Sequence, residues 1–142
     1  MDATIDRRRQ GPLHPVNAFL LSATVTLFLG ALLSDMAYAT SYQVQWTNFA
    51  SWLIAAGLVF GGVLLVLALV GLRHPDRRVR RYLLYVLILL ATWVLGFINA
   101  LIHAKDAWAV MPEALILSVI VSLFAGAAAW LGLFKLRAGE LA

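Results

Sequence analysis

Two ionisable residues inside apolar segments are the strongest candidates for chemistry in this chain. Asp35 and His103 each lie near the end of a stretch long enough to cross a bilayer. Ionisable side chains are costly within a membrane span, where they commonly carry protons or contact ligands. Asn99 lies one helical turn before His103, and Trp108 follows shortly after it. These four residues form a candidate cofactor-binding cluster. The simpler interpretation is that Asp35 and His103 only cap helices or pair near the headgroups.

The depth and spacing of these residues predict that they meet. Asp35 lies about 19 residues and His103 about 21 residues beyond the predicted starts of their helices, which places them at similar depth at a rise of 1.5 Å per residue. Both fall on seams spaced alternately by four and three residues, which marks one face of a helix. The seams are Asn17, Leu21, Thr24, Phe28, Ala31, Asp35 and Tyr38, and then Tyr85, Leu89, Thr92, Gly96, Asn99 and His103. We therefore predict that Asp35 and His103 approach one another across a helical core.

Haem and quinone are the two cofactors that these residues could bind. Bis-histidine ligation of haem needs two histidines on different helices at one depth. His14 is a weak candidate because it lies at the other membrane face from His103, and His74 lies in an Arg-rich loop. A quinone would need an aromatic cleft with hydrogen-bonding groups, which could come from Trp93, Asn99, His103 and Trp108. Packing and anchoring are the preferred interpretation of these residues, and we predict neither a metal site nor a bound cofactor.

The elements that must position these residues are four apolar helices. The chain has 142 residues, of which 63% are hydrophobic and 13% charged, a composition typical of an integral membrane protein. We predict an all-α membrane protein whose four transmembrane helices form an antiparallel up-down bundle. The spans are predicted at about 16–38, 49–72, 82–103 and 113–134, in a single transmembrane domain of residues 14–136 with tails at 1–13 and 137–142.

The positive charges predict the orientation. Of the 11 Lys and Arg residues, all but Lys105 lie on one side of the predicted spans. The positive-inside rule then predicts that both termini lie in the cytoplasm. A competing interpretation is that residues 1–39 form a secretory signal peptide with a cleavage site at Ala37-Tyr38-Ala39. No motif for nucleic-acid binding or hydrolysis is present, and the absence of cysteine excludes a Cys nucleophile, so we predict that the chain is not an enzyme.

Connections and small residues complete the predicted bundle. We predict a loop from Ala39 to Asn48 between the first two spans. Gly57 and Gly61 form a GxxxG motif, which favours close helix packing. A second close-packing surface is predicted where small residues repeat every four positions in the last span, at Ser118, Ser122 and Gly126.

Four sequence segments resemble a known family. They are HPVNAF at 14–19, NALIHAKDAW at 99–108, MPEALILS at 111–118 and AWLG at 129–132. They resemble bacterial membrane proteins with the domain of unknown function 2231, over His14 to Phe134. The resemblance implies a compact four-helix membrane domain without an assigned activity. It also implies a periplasmic quinoprotein dehydrogenase as a neighbour. Many members have a histidine early in the third span, where this chain has Tyr82 and Tyr85, which argues against a haem or metal role that needs that histidine.

The sequence and this resemblance together favour a non-catalytic subunit or anchor in the bacterial inner membrane, and the resemblance implies that it serves a periplasmic redox or envelope partner. Its expected partners are the lipid bilayer and a periplasmic or membrane protein. A homo-oligomer is a further alternative. The alternative is an electron-transfer protein that binds quinone or b-type haem itself.

Overall fold

The protein is described by a computed structural model that covers residues 14–73 and 80–135. Four long helices dominate it: α1 (Pro15–Ser41), α2 (Val44–Gly71), α3 (Arg80–His103) and α4 (Glu113–Trp130). A short 3-10 turn (Ala107–Ala109) lies between α3 and α4, and α4 continues as a π-helical segment (Leu131–Lys135). The described residues contain no strand. The predicted tails at 1–13 and 137–142 lie outside the described residues, as does His74.

All four helices are long and apolar enough to cross a membrane. They carry large apolar side chains on their outward faces, for example Phe19, Leu33, Val59 and Leu123, each of which is exposed. Soluble proteins rarely leave contiguous apolar surface of this extent in contact with water. The predicted all-helical architecture with four membrane-length helices is therefore confirmed.

Each helix packs along two others, in the order α1, α2, α3, α4 and back to α1. In every packed pair the residue numbers rise along one helix as they fall along the other. Between α1 and α2, Thr24 contacts Gly61 and Gly30 contacts Leu53, and between α2 and α3, Gly62 contacts Trp93 and Leu58 contacts Gly96. Between α3 and α4, Asn99 contacts Ser118 and Tyr85 contacts Gly132. Between α1 and α4, Asp35 contacts Ser118 and Leu21 contacts Gly132.

The connection between α1 and α2 is much shorter than predicted. Instead of a loop from Ala39 to Asn48, only Tyr42 and Gln43 separate the two helices. Tyr42 has a left-handed backbone conformation with φ of 54°, and its N–H donates to the Tyr38 carbonyl. A left-handed residue satisfies the last carbonyls of a helix and reverses the chain at once. We call the end of the bundle that holds this connection and residues 104–112 the link end.

The buried faces follow the predicted seams. Every seam residue of α1 and α3 is buried except Asn17, which is half-buried. The GxxxG motif also packs as predicted, since a Cβ placed on Gly57 or Gly61 would lie 3.2 Å from Phe28 or Thr24 of α1, respectively. Cleavage of residues 1–39 as a signal peptide, the competing interpretation of the sequence, would therefore remove the α1 side of the core, including Asp35.

The second close-packing surface was predicted wrongly at one position. Ser118 and Ser122 are buried, but Gly126 is exposed and a Cβ placed on it would have no neighbour within 4 Å. The reason is helical geometry, because residues repeating every four positions drift by about 40° per step around a helix of 3.6 residues per turn. The buried face of α4 instead follows Ser118, Val121, Ala125 and Ala128.

Candidate functional site

A buried pair of ionisable side chains lies near the link end. Asp35 Oδ1 of α1 is 2.9 Å from His103 Nε2 of α3. Asp35 is 0% exposed and His103 is 8% exposed. The predicted approach of these two residues across the core is confirmed. They join helices that are not neighbours in the packing order, so the pair spans the middle of the bundle.

Two further polar side chains complete a closed network. Ser118 Oγ of α4 donates to Asp35 Oδ2 at 2.5 Å, and Asn99 Nδ2 donates to Ser118 Oγ at 2.8 Å. His103 Nδ1 lies 3.0 Å from the Asn99 carbonyl oxygen, one turn back on the same helix. We call Asp35, Asn99, His103 and Ser118 the polar network. It links three helices through side chains that are all buried.

Apolar residues close the network on the side away from the link end. A cluster of buried side chains lies one turn or more below it, and its members are Phe28, Ala31, Ala50, Ile54, Val121 and Ala125. The Phe28 ring fills the space between the glycines of two helices, since a Cβ on Gly57 would lie 3.2 Å from it and one on Gly96 only 2.9 Å from it. The polar network and this apolar cluster therefore lie at different depths along the bundle axis.

Side chains fix the connections above the network. Tyr38 is buried and its hydroxyl donates to the Ala107 carbonyl at 2.9 Å, which ties the 3-10 turn to α1. Lys105 Nζ is 2.9 Å from Glu113 Oε2, in an ion pair that is about half exposed on each side. An exposed pair of this kind contributes little to stability, so Tyr38 is the firmer attachment.

A cleft of about 350 Å³ at the link end borders the network. It is lined by Val44, Gln45, Thr47, Asn48, Ser51, His103, Lys105 and Ala107. His103 is thus the member of the network that borders the cleft, although its side chain is only 1% exposed. Most of the remaining lining comes from the first two turns of α2, which overlap the predicted loop.

The family now follows from comparison. A family model described as "Predicted membrane protein (DUF2231)" matches residues 10–136. The chain belongs to this family. The predicted resemblance is therefore confirmed, and this DUF2231 protein is a membrane protein of unknown function. Comparison with the curated proteins and with the solved structures found no match.

The donor pattern in this DUF2231 protein differs from that of a hydrolase triad. In such a triad the histidine lies between the serine and the carboxylate and takes the serine proton. Here Ser118 donates to Asp35 rather than to His103. The carboxyl group lies in the middle, so the order of the three groups is not that of a Ser–His–Asp triad.

Two of the predicted site residues lie away from the network. Trp108 is 74% exposed on the 3-10 turn, because that turn presents its side chain outward while Tyr38 holds its backbone. His14 is exposed at the opposite end of the bundle, where its Nδ1 accepts from the Val16 N–H at 3.4 Å and caps α1. The structure thus brings Asp35, Asn99 and His103 together and leaves Trp108 and His14 out.

Trp93, a further candidate for quinone binding, also lies away from the polar network. Its Nε1 donates to the Leu58 carbonyl at 3.1 Å, and its ring stacks on Phe97. The hydrogen bond belongs to the packing of α3 against α2, and the ring stacking lies within α3.

Sequence reasoning missed two residues at this end. Ser118 appeared only as a small residue in a repeat, although its depth on the last span matches that of Asp35. Thr47 lines the cleft and is buried, yet its Oγ1 has no hydrogen-bond partner, and Asn99 Oδ1 is likewise unpartnered. Thr47 lies within the predicted loop, where no depth along a helix can be assigned to it.

Proposed function

We propose that this DUF2231 protein is a non-catalytic subunit or anchor in the bacterial inner membrane, arranged as an antiparallel up-down bundle with both termini in the cytoplasm. The inverse pairing of residue numbers in all four packed helix pairs supports the antiparallel arrangement. The position of ten of the 11 Lys and Arg residues on the side of the termini supports the orientation. The link end then faces the periplasm.

The exposed Trp108 on a fixed turn is the observation that carries the anchor role. Tryptophan dominates many protein contacts because it covers a large area with few rotatable bonds, and the bond from Tyr38 to Ala107 holds its turn in place. The connections at this end are short, and the described residues leave no room in them for a soluble domain. A periplasmic redox or envelope protein, such as a quinoprotein dehydrogenase, is the partner that we propose. Interfacial anchoring in lipid is the competing role for this tryptophan.

Site-specific photo-crosslinking in membranes of the native host distinguishes these roles. A photoreactive amino acid at Trp108 should crosslink to a periplasmic protein, whereas the same amino acid at Leu123 should crosslink to lipid. Leu123 is a matched control because it is similarly exposed, at 67%, but lies on the lipid-facing side of α4. Identical products at both positions would contradict the anchor role.

A point variant provides a second readout. Trp108→Ser should weaken co-purification of the crosslinked partner while leaving the thermal stability unchanged, because an exposed side chain contributes little to the core. A loss of stability equal to that of a core variant would show that Trp108 has a structural role instead.

Electron transfer through a bound quinone is the second candidate, and the cleft favours it. The cleft of about 350 Å³ carries amide and hydroxyl groups beside His103, which suits a carbonyl-bearing ring. Haem suits the site less well, since an iron ligand needs a free ring nitrogen and both nitrogens of His103 are engaged. The described residues also contain no group of three or more potential metal ligands.

The absorption spectrum and the extractable lipids of the purified protein test this alternative. Quinone that co-purifies in the wild type and is lost in Asn48→Phe, which fills the cleft, would support electron transfer. Quinone that is absent, or equally present in both proteins, would contradict it, and a Soret band would require a haem site that the geometry does not provide.

A further inference from the structure

The hydrogen bonds of His103 fix where one of its protons lies. Its Nδ1 is 3.0 Å from the backbone carbonyl oxygen of Asn99, which can only accept. A ring nitrogen without a proton at this distance would place two lone pairs against each other. His103 Nδ1 therefore carries a hydrogen and donates it to Asn99.

The contact between His103 Nε2 and Asp35 Oδ1 must then contain a second proton. A neutral imidazole with its hydrogen on Nδ1 has only a lone pair on Nε2. An ionised carboxylate oxygen 2.9 Å away would offer another lone pair, and the two would repel. Either the imidazole is doubly protonated beside a carboxylate, or the imidazole is neutral beside a protonated carboxyl group. Both states have zero net charge, and both hold one proton more than an ionised aspartate with a neutral histidine.

The rest of the network fixes where that proton can be. Ser118 receives a hydrogen from Asn99 and donates its own to Asp35 Oδ2, so that oxygen is already an acceptor. The extra proton is thus confined to the line between Oδ1 and Nε2. Electroneutrality also accounts for the complete burial of Asp35, since an unpaired buried charge would be costly.

Solvent comes nearest to this proton on one side, at the link end, although the His103 side chain is only 1% exposed. The cleft at the link end is lined by His103, whereas the apolar cluster around Phe28 and Val121 closes the other side. Few other ionisable groups face the pair. The whole of α2 has none, and the others at this end are Tyr38, Tyr42, Lys105, Asp106 and Glu113. Tyr38 donates to Ala107, and Lys105 pairs with Glu113, so these three groups are engaged elsewhere.

We propose that Asp35 and His103 form a proton-binding site that exchanges its proton with solution at the link end, through the cleft beside Thr47 and Ser51. The proposal goes beyond an anchoring role and does not depend on it, because it requires only the geometry of the pair and of the cleft.

Nitrogen-15 NMR of His103, combined with infrared spectroscopy, tests the proton content at neutral pH. His14→Gln and His74→Gln leave a single histidine, so its signals are unambiguous. We expect either a doubly protonated imidazole ring or an infrared band from a protonated carboxyl group. Asp35→Asn is the matched variant, because its amide can donate to Nε2 and accept from Ser118 without an extra proton. Both signatures should disappear in it, leaving a neutral ring with its hydrogen on Nδ1.

One outcome overturns the proton site directly. A neutral ring in the wild type with its hydrogen on Nε2, without a protonated carboxyl band, would show that the pair holds no extra proton. This readout needs the wild-type site alone, so it remains decisive if Asp35→Asn fails to fold.

The rate of proton exchange tests the route. Asn48→Phe, which fills the cleft, should slow hydrogen–deuterium exchange at the His103 ring several-fold. Val70→Phe is the control, since it adds the same ring to an exposed position at the other end of α2 and should leave the rate unchanged. Equal rates in the two variants would contradict access through the cleft.

Discussion

Replacing Asp35 by alanine should destabilise the bundle through two lost hydrogen bonds. The change leaves the Ser118 hydroxyl and His103 Nε2 without their partner, and both lie in buried side chains. An unsatisfied buried group costs about 1–3 kcal/mol in soluble proteins. Bonds between membrane helices contribute less, about 0.6 kcal/mol on average and up to about 1.7, because the unfolded chain in lipid also finds partners. We therefore expect a loss of about 1–3 kcal/mol for Asp35→Ala.

The coupling between Asp35 and His103 is the sharper part of this prediction. His103→Ala removes the same bond from the other side, so the double variant loses that bond only once. Its loss should fall short of the sum of the single losses by about 0.6–2 kcal/mol, the range expected for one buried polar contact in a membrane. Asp35→Asn should cost less than Asp35→Ala, because an amide can preserve both bonds.

Unfolding by sodium dodecyl sulfate in mixed micelles provides the assay, with the fluorescence of the five tryptophans as the signal. A control cycle pairs Asp35→Ala with Tyr82→Phe at the opposite end, where the Tyr82 hydroxyl donates to the Ala68 carbonyl. In this control cycle the losses in the free energy of unfolding of the two single variants should sum to that of the double variant within about 0.5 kcal/mol, as expected for distant sites. Additive losses for Asp35 and His103 as well would refute the direct bond between them.

Two further predictions concern packing and topology. Gly61→Ile should destabilise the bundle by about 1–3 kcal/mol or more, because Thr24 lies against this glycine, whereas Gly126→Leu should be tolerated in the same unfolding assay because nothing lies within 4 Å of its added Cβ. The opposite ranking would show that the interior faces are assigned wrongly. A topology reporter fused after Ala142 should behave as cytoplasmic and one inserted near Gln45 as periplasmic, since ten of the 11 Lys and Arg residues lie on the side of the termini. An external carboxy terminus would contradict the proposed orientation.

The sequence predicted the helices and the buried faces of α1 and α3 because those depend on local periodicity. A seam of alternating four and three steps stays on one side of a helix, and polar residues within a span avoid lipid. Asp35 and His103 could be paired in advance for the same reason, since their depths follow from a fixed rise per residue.

Other features depended on geometry that periodicity does not contain. The left-handed conformation of Tyr42 shortened the link between α1 and α2, and a tyrosine gives little local signal for it. The burial of Ser118 and the exposure of Gly126 depend on how α4 is rotated against α1 and α3. Trp108 was expected in the cluster from its position in the chain, but the direction of its side chain is set by the 3-10 turn that the Tyr38 bond holds.

The most direct test of the central claim is the distance between Asp35 and His103 in lipid bilayers. Solid-state NMR can measure the dipolar coupling between a carbon-13 label at Asp35 Cγ and a nitrogen-15 label at His103 Nε2. The structure predicts strong dephasing, as expected for a nitrogen that lies 2.9 Å from the Oδ1 atom of that carboxyl group. Dephasing no stronger than that between Asp35 and the distant His14 would contradict the polar network and every role inferred from it.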